Sequence, residues 1–418
     1  MVLTRAENDF LTRVGPDTPA GELFRRYWLP CAVAKELTDE NPTRFVRLLG
    51  EDLVLFKDKS GNTGLLTDHC SHRGASLLYG RVEQRGIACA YHGWLYDTGG
   101  NVLECPAEPA GSMFHLTVKH RAYPVKKWIG LYWAYLGPLP APEITRYDVW
   151  ARRDGTHRIT VQPRLDGNWL QAMENSVDPA HLPILHQNTS TQGRVAPSTT
   201  RGFTDDIDHF EFYEVPYGIV KKRSYKNGLL DEHPILFPNI LRHQKNTQIR
   251  VPIDDTHTFI VFVGFEPSPD GSVVEEDEDQ IPVRYMKSYK EPADVLHPDT
   301  RFDMEHDVQA QDHMAWETQG PIANRTAERL ATSDRGVVML RQMVKREIEK
   351  VQRGEDPMNV YRDPDHSIID TKLQDNLEKL GTWRGATPPP PELGGKVPPP
   401  FGWPGLRPAT GLRPRALG

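Results

Sequence analysis

The sequence CSHRGASLLYGRVEQRGIACAYHGW, residues 70–94, contains two short segments that each combine a cysteine with a histidine. Cys70 and His72 form C-x-H, and after sixteen intervening residues Cys89 and His92 form C-x-x-H. A glycine follows each histidine within two residues, which permits a tight backbone beside a bound ion. Thiolates and imidazoles in this arrangement predict a metal centre held by two loops.

The mixed ligand order indicates an iron–sulfur cluster. In a Rieske [2Fe–2S] centre two cysteines hold one iron and two histidines hold the other, so each loop supplies one ligand of each kind. Both loops do so here, and Trp94 stands where it can shield the cluster. The alternative is a structural zinc site with two cysteines and two histidines, although zinc loops seldom use C-x-H. Imidazole ligation raises the reduction potential to roughly −150 to +300 mV. Such a cluster passes electrons on, so chemistry on a substrate requires a second reactive centre.

The composition describes a soluble globular protein with more than one domain. A chain of 418 residues exceeds the size of one ordinary core. The net charge of −7 and a pI near 6.2 indicate no excess of positive charge that would bind nucleic acid or an anionic membrane. No apolar run of signal-peptide or membrane-span length occurs, so we expect a cytoplasmic protein. Cys31 and Cys105 are expected to be free thiols, with a disulfide between them as the alternative.

The first part of the chain has the pattern of a small β domain. Residues 22–29 predict a short helix with three aromatic residues on its apolar side. The β-rich runs 45–49, 53–56 and 121–136 predict an antiparallel sheet that carries the two ligand loops. Three prolines between residues 137 and 142 predict a linker. We therefore expect three regions: an N-terminal segment with the Rieske [2Fe–2S] domain over 1–140, a catalytic domain over 141–386, and a proline-rich tail over 387–418.

A second informative stretch is NSVDPAHLPILH, residues 175–186. His181 and His186 are five residues apart, which separates them by about 140° on an ideal helix. Two prolines within the stretch interrupt a helix and so allow the imidazoles to converge. Asp178 lies three residues before His181, which places both on one face of a helical turn. Two imidazoles, a carboxylate and open positions form the facial triad of non-haem Fe(II) oxygenases.

The motif N-x-x-D-x-x-H-x-x-x-x-H, together with the ligand loops, resembles the large (alpha) subunit of the Rieske non-haem iron aromatic oxygenases. The resemblance implies that His181 and His186 bind a mononuclear non-haem Fe(II). It also implies that Asp178 is the catalytic carboxylate that bridges a ligand histidine to a Rieske histidine. Asn175 is implied to lie near the iron.

The third iron ligand is expected far along the chain. The segment QDHMAWE, residues 311–317, resembles the family's late segment in which an aspartate completes the triad, so Asp312 is the implied ligand. Gln311 departs from the pattern, because some relatives carry glutamate at that position. The alternative ligands are Glu305, Asp307 and Glu317.

The rest of the second region predicts an α+β catalytic domain. Residues 337–351 have the spacing of an amphipathic helix, and strand patterns occur at 158–162, 209–225, 235–241, 247–251 and 258–265. The resemblance implies the helix-grip form, an antiparallel sheet with helices, and iron beneath the sheet. The acidic run 275–279 is expected to be a solvated loop, with a lid or partner surface as the alternative. The tail is expected to be either disordered or draped over a neighbouring subunit.

The resemblance is closest to the phthalate dioxygenase type, a group that also contains aromatic O-demethylases such as the dehydrodivanillate enzyme. It implies a terminal oxygenase that forms a homotrimer and receives electrons from an NAD(P)H-dependent reductase, with or without a ferredoxin. We expect O-demethylation or monohydroxylation of an aromatic acid, with cis-dihydroxylation of a phthalate-like ring as the alternative. An alternative from another class is a Rieske electron carrier without oxygenase chemistry.

Three basic residues are candidates for binding the substrate carboxylate. Arg242, His243 and Arg250 lie on strands predicted to form the pocket, and a guanidinium group matches a carboxylate with two hydrogen bonds. The alternative for each is a charge that faces outward.

Overall fold

The structure, a computed structural model, describes residues 2–186, 207–286 without 227 and 229, 288, 290 and 308–371. The helices are α1 (Arg5–Thr12), α2 (Pro19–Phe24), α3 (Asp148–Ala151), α4 (Trp169–Val177), α5 (Leu182–Leu185), α6 (Val308–Thr318) and α7 (Arg335–Gln352). The first strands are β1 (Trp28–Val33), β2 (Thr43–Leu48), β3 (Glu51–Lys57), β4 (Thr63–Thr67), β5 (Arg81–Glu83), β6 (Gly86–Ala88), β7 (Leu95–Tyr96), β8 (Val102–Glu104), β9 (Ala122–Tyr123), β10 (Val125–Trp128) and β11 (Leu131–Tyr135). The later strands are β12 (Gly155–Leu165), β13 (Ile207–Val215), β14 (Gly218–Tyr225), β15 (Leu230–Leu236), β16 (Ile240–His243), β17 (Asn246–Asp254), β18 (His257–Pro267) and β19 (Val283–Tyr285).

Three small antiparallel sheets form the N-terminal part of the chain. Their strand orders are β1-β11-β10, β2-β3-β4-β9 and β5-β6-β7-β8. The first ligand loop follows β4, and the second connects β6 to β7. Cys70 and Cys89 belong to a buried core that also contains Phe56, Ile87 and Tyr96. The two loops are therefore anchored by the burial of their own cysteines.

The predicted helix over 22–29 is wrong in its second half. Helix α2 ends at Phe24, and β1 begins at Trp28. Trp28 pairs with Tyr135 in β11, and the two ring centroids are 5.7 Å apart. Aromatic side chains suit a pleated, half-buried surface, so pairing with β11 outweighs the helical spacing of these residues.

An eight-stranded sheet dominates the second part of the chain. Its order is β13-β14-β15-β16-β17-β18-β12-β19, and every neighbouring pair is antiparallel except β12 with β19. Helix α4 contacts β16 and β17, and both α6 and α7 contact α4. The predicted α+β class is confirmed: an all-β N-terminal domain precedes an antiparallel sheet with a few helices.

One face of this sheet is directed toward α4 and α6. Ile260 of β18 packs with Ala172 of α4 and Trp316 of α6. Cross-strand partners share a face, and so do alternate residues along a strand. The registers through β14 to β18 therefore place Ile260, Arg250, His243, His233 and Lys221 on one side of the sheet, which we call the inner face.

The acidic run 275–279 is held by basic side chains of neighbouring segments. Glu275 lies 2.6 Å from Arg153, and Glu276 lies 2.6 Å from the His157 imidazole in β12. A third contact, of 3.0 Å, joins Asp279 to Lys127 in β10. Glu275 and Asp279 remain exposed, so the run is largely the solvated loop that was expected, and the half-buried Glu276 joins it to β12.

The segment predicted as a linker is hydrogen-bonded on both sides. The Pro142 carbonyl accepts from the Trp28 indole at 2.8 Å, and the Pro140 carbonyl accepts from Arg362 at 2.8 Å. The domain boundaries at 140 and 386 stay predictions, and the tail lies outside the described residues. Within the described part of the chain, no helix combines the length and the apolar character that crossing a membrane requires.

Candidate metal centres

The two ligand loops have the same backbone geometry. In each, the cysteine amide donates to the carbonyl five residues later at 2.9 Å. The carbonyl of the same cysteine accepts from the amide four residues later, at 2.8 Å for Cys70 and 2.9 Å for Cys89. Those amides belong to Gly74 and Gly93, whose φ of +73° is strained for any residue with a Cβ. This turn explains why a glycine stands at that position in both loops.

The four side chains form a thiol pair and an imidazole pair. Cys70 and Cys89 are buried and contact each other, and burial raises the pKa of the Cys89 thiol. The rings of His72 and His92 lie 4.4 Å apart at 73°. Trp94 stacks on His72 at 4.7 Å, in the shielding position that was predicted. A buried thiol pair beside a more exposed imidazole pair fits a cluster with a different ligand type on each iron.

His181, His186 and Asp312 form a second possible metal site. Their ligand atoms all lie within 4.8 Å of one another. Nε2 of His181 is 3.7 Å from Oδ1 of Asp312, and Nε2 of His186 is 3.2 Å from the same oxygen. His186 and Asp312 are buried, and His181 is half-buried. Two imidazoles and one carboxylate at this spacing fit an octahedral ion that keeps open positions.

The two imidazoles converge because the helix is interrupted between them. Helix α4 ends at Val177, and Asp178 adopts an extended conformation with φ −91° and ψ 112°. The short α5 then begins after His181 and ends before His186. The two imidazole rings are 5.4 Å apart and nearly perpendicular, at 84°. Asp312 comes from α6, which packs against α4.

Each triad side chain also has a further polar neighbour. Nδ1 of His186 is 2.6 Å from the amide oxygen of Gln311, and Nδ1 of His181 is 3.4 Å from Oδ2 of Asp178. The Asn175 amide donates to Oδ1 of Asp312 at 3.2 Å. These contacts turn both Nε2 atoms toward Asp312, as the orienting partners of metal-bound histidines do.

The electrostatics favour a charged carboxylate in this site. Burial alone would raise the pKa of Asp312, but its hydrogen bond to His186 and the nearby His181 lower that pKa to about 2. The pKa of Asp178 is also lowered, because its contact with His181 outweighs its burial. Both carboxylates are therefore anionic at neutral pH and available to a cation or an imidazole.

The alternative ligands are not at this site or lie outside the described residues. Glu317 accepts from the backbone amide of Asp166 at 3.0 Å and contacts Lys290 at 2.6 Å, so its carboxylate is engaged elsewhere. Glu305 and Asp307 lie outside the residues that the structure describes.

The three candidate substrate residues fall into two groups. Arg242 is bound to Asp148 at 3.1 Å and to Thr371 at 3.2 Å, on the side of β16 opposite His243. His243 and Arg250 lie on the inner face. Burial lowers the pKa of Arg250 to about 9, against the opposing influence of Asp312. The structure therefore brings His243 and Arg250, but not Arg242, to the side that faces α6.

Two functional candidates have no signal in the sequence motifs. Gln311 drew attention only as a departure from a pattern, yet it holds His186. Lys221 is one of two consecutive lysines in β14, and only the strand register shows that it lies on the inner face. Alternate residues of a strand face opposite sides of the sheet, so Lys221 and Lys222 must lie on different faces. The sequence alone does not show which of these faces is buried.

A cavity of about 300 Å³ lies elsewhere, between α3, β12 and the acidic run. Arg146, His157 and Glu276 are among its lining residues, and no triad residue lines it. The cavity is therefore separate from the metal centres.

The fold and the two centres define a class of protein in which a cluster domain supplies electrons to a mononuclear metal site beside a large antiparallel sheet. Residues 27–126 match the Rieske [2Fe-2S] domain family, and residues 297–386 match a family described as LigXa C-terminal domain like. The 5,5'-dehydrodivanillate O-demethylase oxygenase subunit of Sphingobium sp. is 39% identical over 376 residues, which cover 87% of this chain and 84% of that protein. The phthalate 4,5-dioxygenase oxygenase subunit of Pseudomonas putida is 34% identical over 394 residues, covering 85% of this chain and 88% of that protein.

A solved structure shows the same fold at low identity. The reduced complex between oxygenase and ferredoxin in carbazole 1,9a-dioxygenase contains a chain that superposes with a TM-score of 0.55 at 18% identity, covering 80% of this chain and 90% of that chain. The chain studied here belongs to the Rieske non-haem iron oxygenases, as a terminal oxygenase subunit. It is an enzyme whose cofactors are a Rieske [2Fe–2S] cluster and a mononuclear non-haem iron. Family membership decides against both the zinc site and the pure electron carrier.

Proposed function

We propose that this oxygenase subunit O-demethylates or monohydroxylates an aromatic acid. The observation that carries the proposal is the inner face of the sheet, where Arg250 is a buried cation on the side that faces α6. His243 on the adjacent strand is a neutral imidazole, because burial lowers its pKa well below the ordinary value. Buried cations require an anionic counterpart, and the carboxylate of an aromatic acid supplies one. The 39% identity to an O-demethylase subunit favours removal of a methyl group.

The residues that would hold the two metal groups follow from the site. Cys70, His72, Cys89 and His92 would hold the cluster. His181, His186 and Asp312 would hold the mononuclear iron. When bound, these groups supply electrons one at a time and activate O₂. In the demethylation of an aryl methyl ether, O₂, two electrons and two protons convert the ether into a phenol, formaldehyde and water.

The protein's own side chains prepare the site for this chemistry. Gln311 accepts from Nδ1–H of His186, which leaves the Nε2 lone pair for a metal. Asn175 holds one oxygen of Asp312 and so limits its rotation. The inner face would orient the aromatic ring by its carboxylate, so that a single substituent is presented to the iron.

The electron donor and the assembly belong to the same proposal. We infer that an NAD(P)H-dependent reductase, with or without a ferredoxin, reduces the cluster in the cytoplasm. Within one chain the His92 ring contacts His72 and Tyr91. We further propose that Asp178 bridges His181 to His92 of a neighbouring subunit in a head-to-tail homotrimer, with the domain boundary near residue 140.

Oxygen uptake with a defined panel tests the proposed reaction. The holoenzyme, a reductant and a set of phthalates, benzoates and methoxybenzoates are monitored with an oxygen electrode, and the products are identified. Formaldehyde released in proportion to oxygen consumed supports O-demethylation. A monohydroxylated ring acid supports the hydroxylase form. Absence of uptake with every aromatic acid would contradict the proposed substrate class.

The second candidate is cis-dihydroxylation of a phthalate-like ring. It is favoured by the 34% identity to a phthalate dioxygenase subunit. The same product analysis separates the two, because a cis-diol from a ring without a methoxy group contains both oxygen atoms of O₂ and releases no formaldehyde.

A further inference from the structure

Lys221 is a buried lysine on the inner face of the sheet. It lies in β14, opposite His233 of β15, and only 4% of its surface is exposed. The carboxylates of Asp178 and Asp312 influence its charge, which places the ammonium group in the electrostatic field of the metal site. The strand register places Lys221 on the face of the sheet that is directed toward α6, the helix that carries Asp312.

Among the described residues, no hydrogen bond or ion pair engages the Lys221 ammonium. Its neighbours on β14 differ in this respect. Arg223, on the same face, is bound to Asp231, and Lys222, on the opposite face, is 2.8 Å from Glu211. A buried ammonium without a partner is unfavourable by several kcal/mol relative to a paired one. Within the described part of the chain, no structural contact accounts for a cation at this position.

A second buried cation, Arg250, lies three strands further along the inner face, in β17. Its two terminal nitrogens donate to the backbone and side chain of Gln248, a neutral residue, at 3.1 and 2.8 Å. Its Nε is buried and has no partner within the described part of the chain. The inner face thus carries two separate cations, Lys221 and Arg250, that no described carboxylate neutralises by direct contact.

We propose that Lys221 determines substrate specificity by binding an anionic oxygen of the aromatic substrate beside the iron. The inference rests on the proposed function, because it assigns a recognition residue to the same pocket. Lys221 and Arg250 lie three strands apart on the inner face, and we infer that each binds a different anionic group. The substrate class is therefore an aromatic with two acidic groups, such as a dicarboxylate or a carboxylate with an acidic phenol.

The protonation behaviour of Lys221 is consistent with this role. Burial lowers its pKa to about 7 in the absence of ligand. An approaching carboxylate favours the charged form and raises that pKa. The ammonium is therefore stabilised when the substrate arrives, which couples recognition to the presence of the anion.

The test compares acids with neutral analogues in three forms of the holoenzyme. Wild type, Lys221→Met and Lys222→Met are titrated calorimetrically with three pairs: benzoate and benzamide, 3-methoxybenzoate and 3-methoxybenzamide, phthalate and phthalamide. Lys221→Met preserves side-chain length and removes a buried charge, so folding is not at risk. Lys222→Met is the matched control, because it removes the adjacent lysine from the opposite face.

We expect wild type to prefer each acid, and phthalate most. Lys221→Met should weaken phthalate binding about 10- to 100-fold, as loss of a charged hydrogen bond does, and should leave the amides within about twofold. Lys221→Arg should restore part of the preference, and Lys222→Met should behave as wild type.

Two results overturn the inference. Equal losses for acid and amide in Lys221→Met would mean that Lys221 acts on Asp178 or on packing and not on the substrate. An unchanged acid preference would mean that Arg250 and His243 suffice. Failure of the proposed function is distinguishable, because wild-type enzyme would then consume no oxygen with any acid.

Discussion

At the scale of single residues, the two triad histidines differ in the group that faces their Nδ1 atom. His186 faces the neutral amide of Gln311, whereas His181 faces the carboxylate of Asp178. A carboxylate makes an imidazole a stronger donor to a metal than an amide does. The properties of His181 therefore depend on an ionisable neighbour, Asp178. The neighbour of His186, Gln311, does not ionise.

Removing His181 should show that the two metal centres have separate ligands. His181→Ala is expected to lose mononuclear iron and all turnover while the absorption of the Rieske cluster stays intact, because the cluster ligands lie on two N-terminal loops and the iron ligands lie beside α5 and in α6. Asp312→Ala should lose less iron, since two imidazoles remain. Iron and acid-labile sulfide per chain, with visible spectra, measure both. Loss of the cluster in His181→Ala would show that the metals are wrongly assigned, and full iron in Asp312→Ala would move the third ligand to another carboxylate.

Gln311 gives a second residue-scale prediction. Gln311→Met removes the acceptor for Nδ1–H of His186 at similar volume and should weaken retention of mononuclear iron roughly 10- to 100-fold. Gln311→Glu keeps an acceptor and should retain iron at least as well as wild type. The rate of Fe(II) release to a chelator measures the difference without turnover. Identical release from all three proteins would remove Gln311 from any role at the metal.

How well the role of a single residue could be predicted from the sequence depends on whether that role follows from neighbouring residues in the chain. Cys70, His72, Cys89 and His92 were predictable because their roles follow from spacing within two short loops. Asp312 was predictable only through resemblance, since nothing in the local sequence pairs it with His186. Lys221 was not predictable, because its role depends on which face of β14 is buried, and that is set by the register of five strands.

At the scale of elements, α4 is fixed by a buried ionic cluster. Glu174 lies between Arg325, at 2.7 Å, and Arg341 of α7, at 2.6 Å. Burial would raise the pKa of Glu174, but the two guanidinium groups lower it. Because Asn175 follows Glu174 directly, this cluster sets the position of the helix end that leads into the iron site.

Glu174→Gln should destabilise the fold by about 3–5 kcal/mol at pH 7, because it leaves the buried Arg325 without a carboxylate, whereas Arg341 keeps its pair with Glu328. The pKa of Glu174 is lower in the folded than in the unfolded state, so its contribution is complete above about pH 4.5 and is lost as the pH falls below that value. Thermal unfolding at several pH values measures this. The control is Glu355→Gln, whose pair with Arg353 is exposed to solvent and should contribute little to stability. A difference between wild type and Glu174→Gln that stays constant down to pH 3 would contradict the assignment.

The type of each element was largely predictable from the sequence, but the arrangement of the strands into sheets was not. The strands at 53–56, 158–162 and 258–265 follow from apolar alternation, and α7 follows from its three- and four-residue spacing. The division of the N-terminal strands into three sheets depends on long-range pairing, such as β1 with β11 and β4 with β9, that no local pattern encodes. The same cause accounts for the error at residues 22–29.

At the scale of the whole molecule, the proposed trimer makes Asp178 an interface residue. Asp178→Asn should keep both metals and the fold but lose most electron transfer from cluster to iron, because the amide is a weaker link between two imidazoles. Single-turnover oxidation of a pre-reduced cluster in the presence of substrate measures this rate. A wild-type rate in Asp178→Asn would rule out the bridging role.

Mixing two inactive variants tests the direction of transfer. Cys89→Ser lacks a competent cluster, and His181→Ala lacks the iron. In co-expressed mixed trimers an intact cluster often adjoins an intact iron in the next chain, so part of the activity should return. Mixed trimers that form but stay inactive would show that transfer runs within one chain.

The positions of the two ligand sets along the chain also order the biosynthesis of the holoenzyme. All four cluster ligands lie between residues 70 and 92, on loops anchored by short local sheets, whereas the iron ligands join residue 181 to residue 312 across the eight-stranded sheet. Domains near the N-terminus complete first as a chain leaves the ribosome. We therefore expect the cluster pocket to be able to form while the last ligand of the second centre, Asp312, is still to be synthesised, so that the cluster can be inserted before the mononuclear iron.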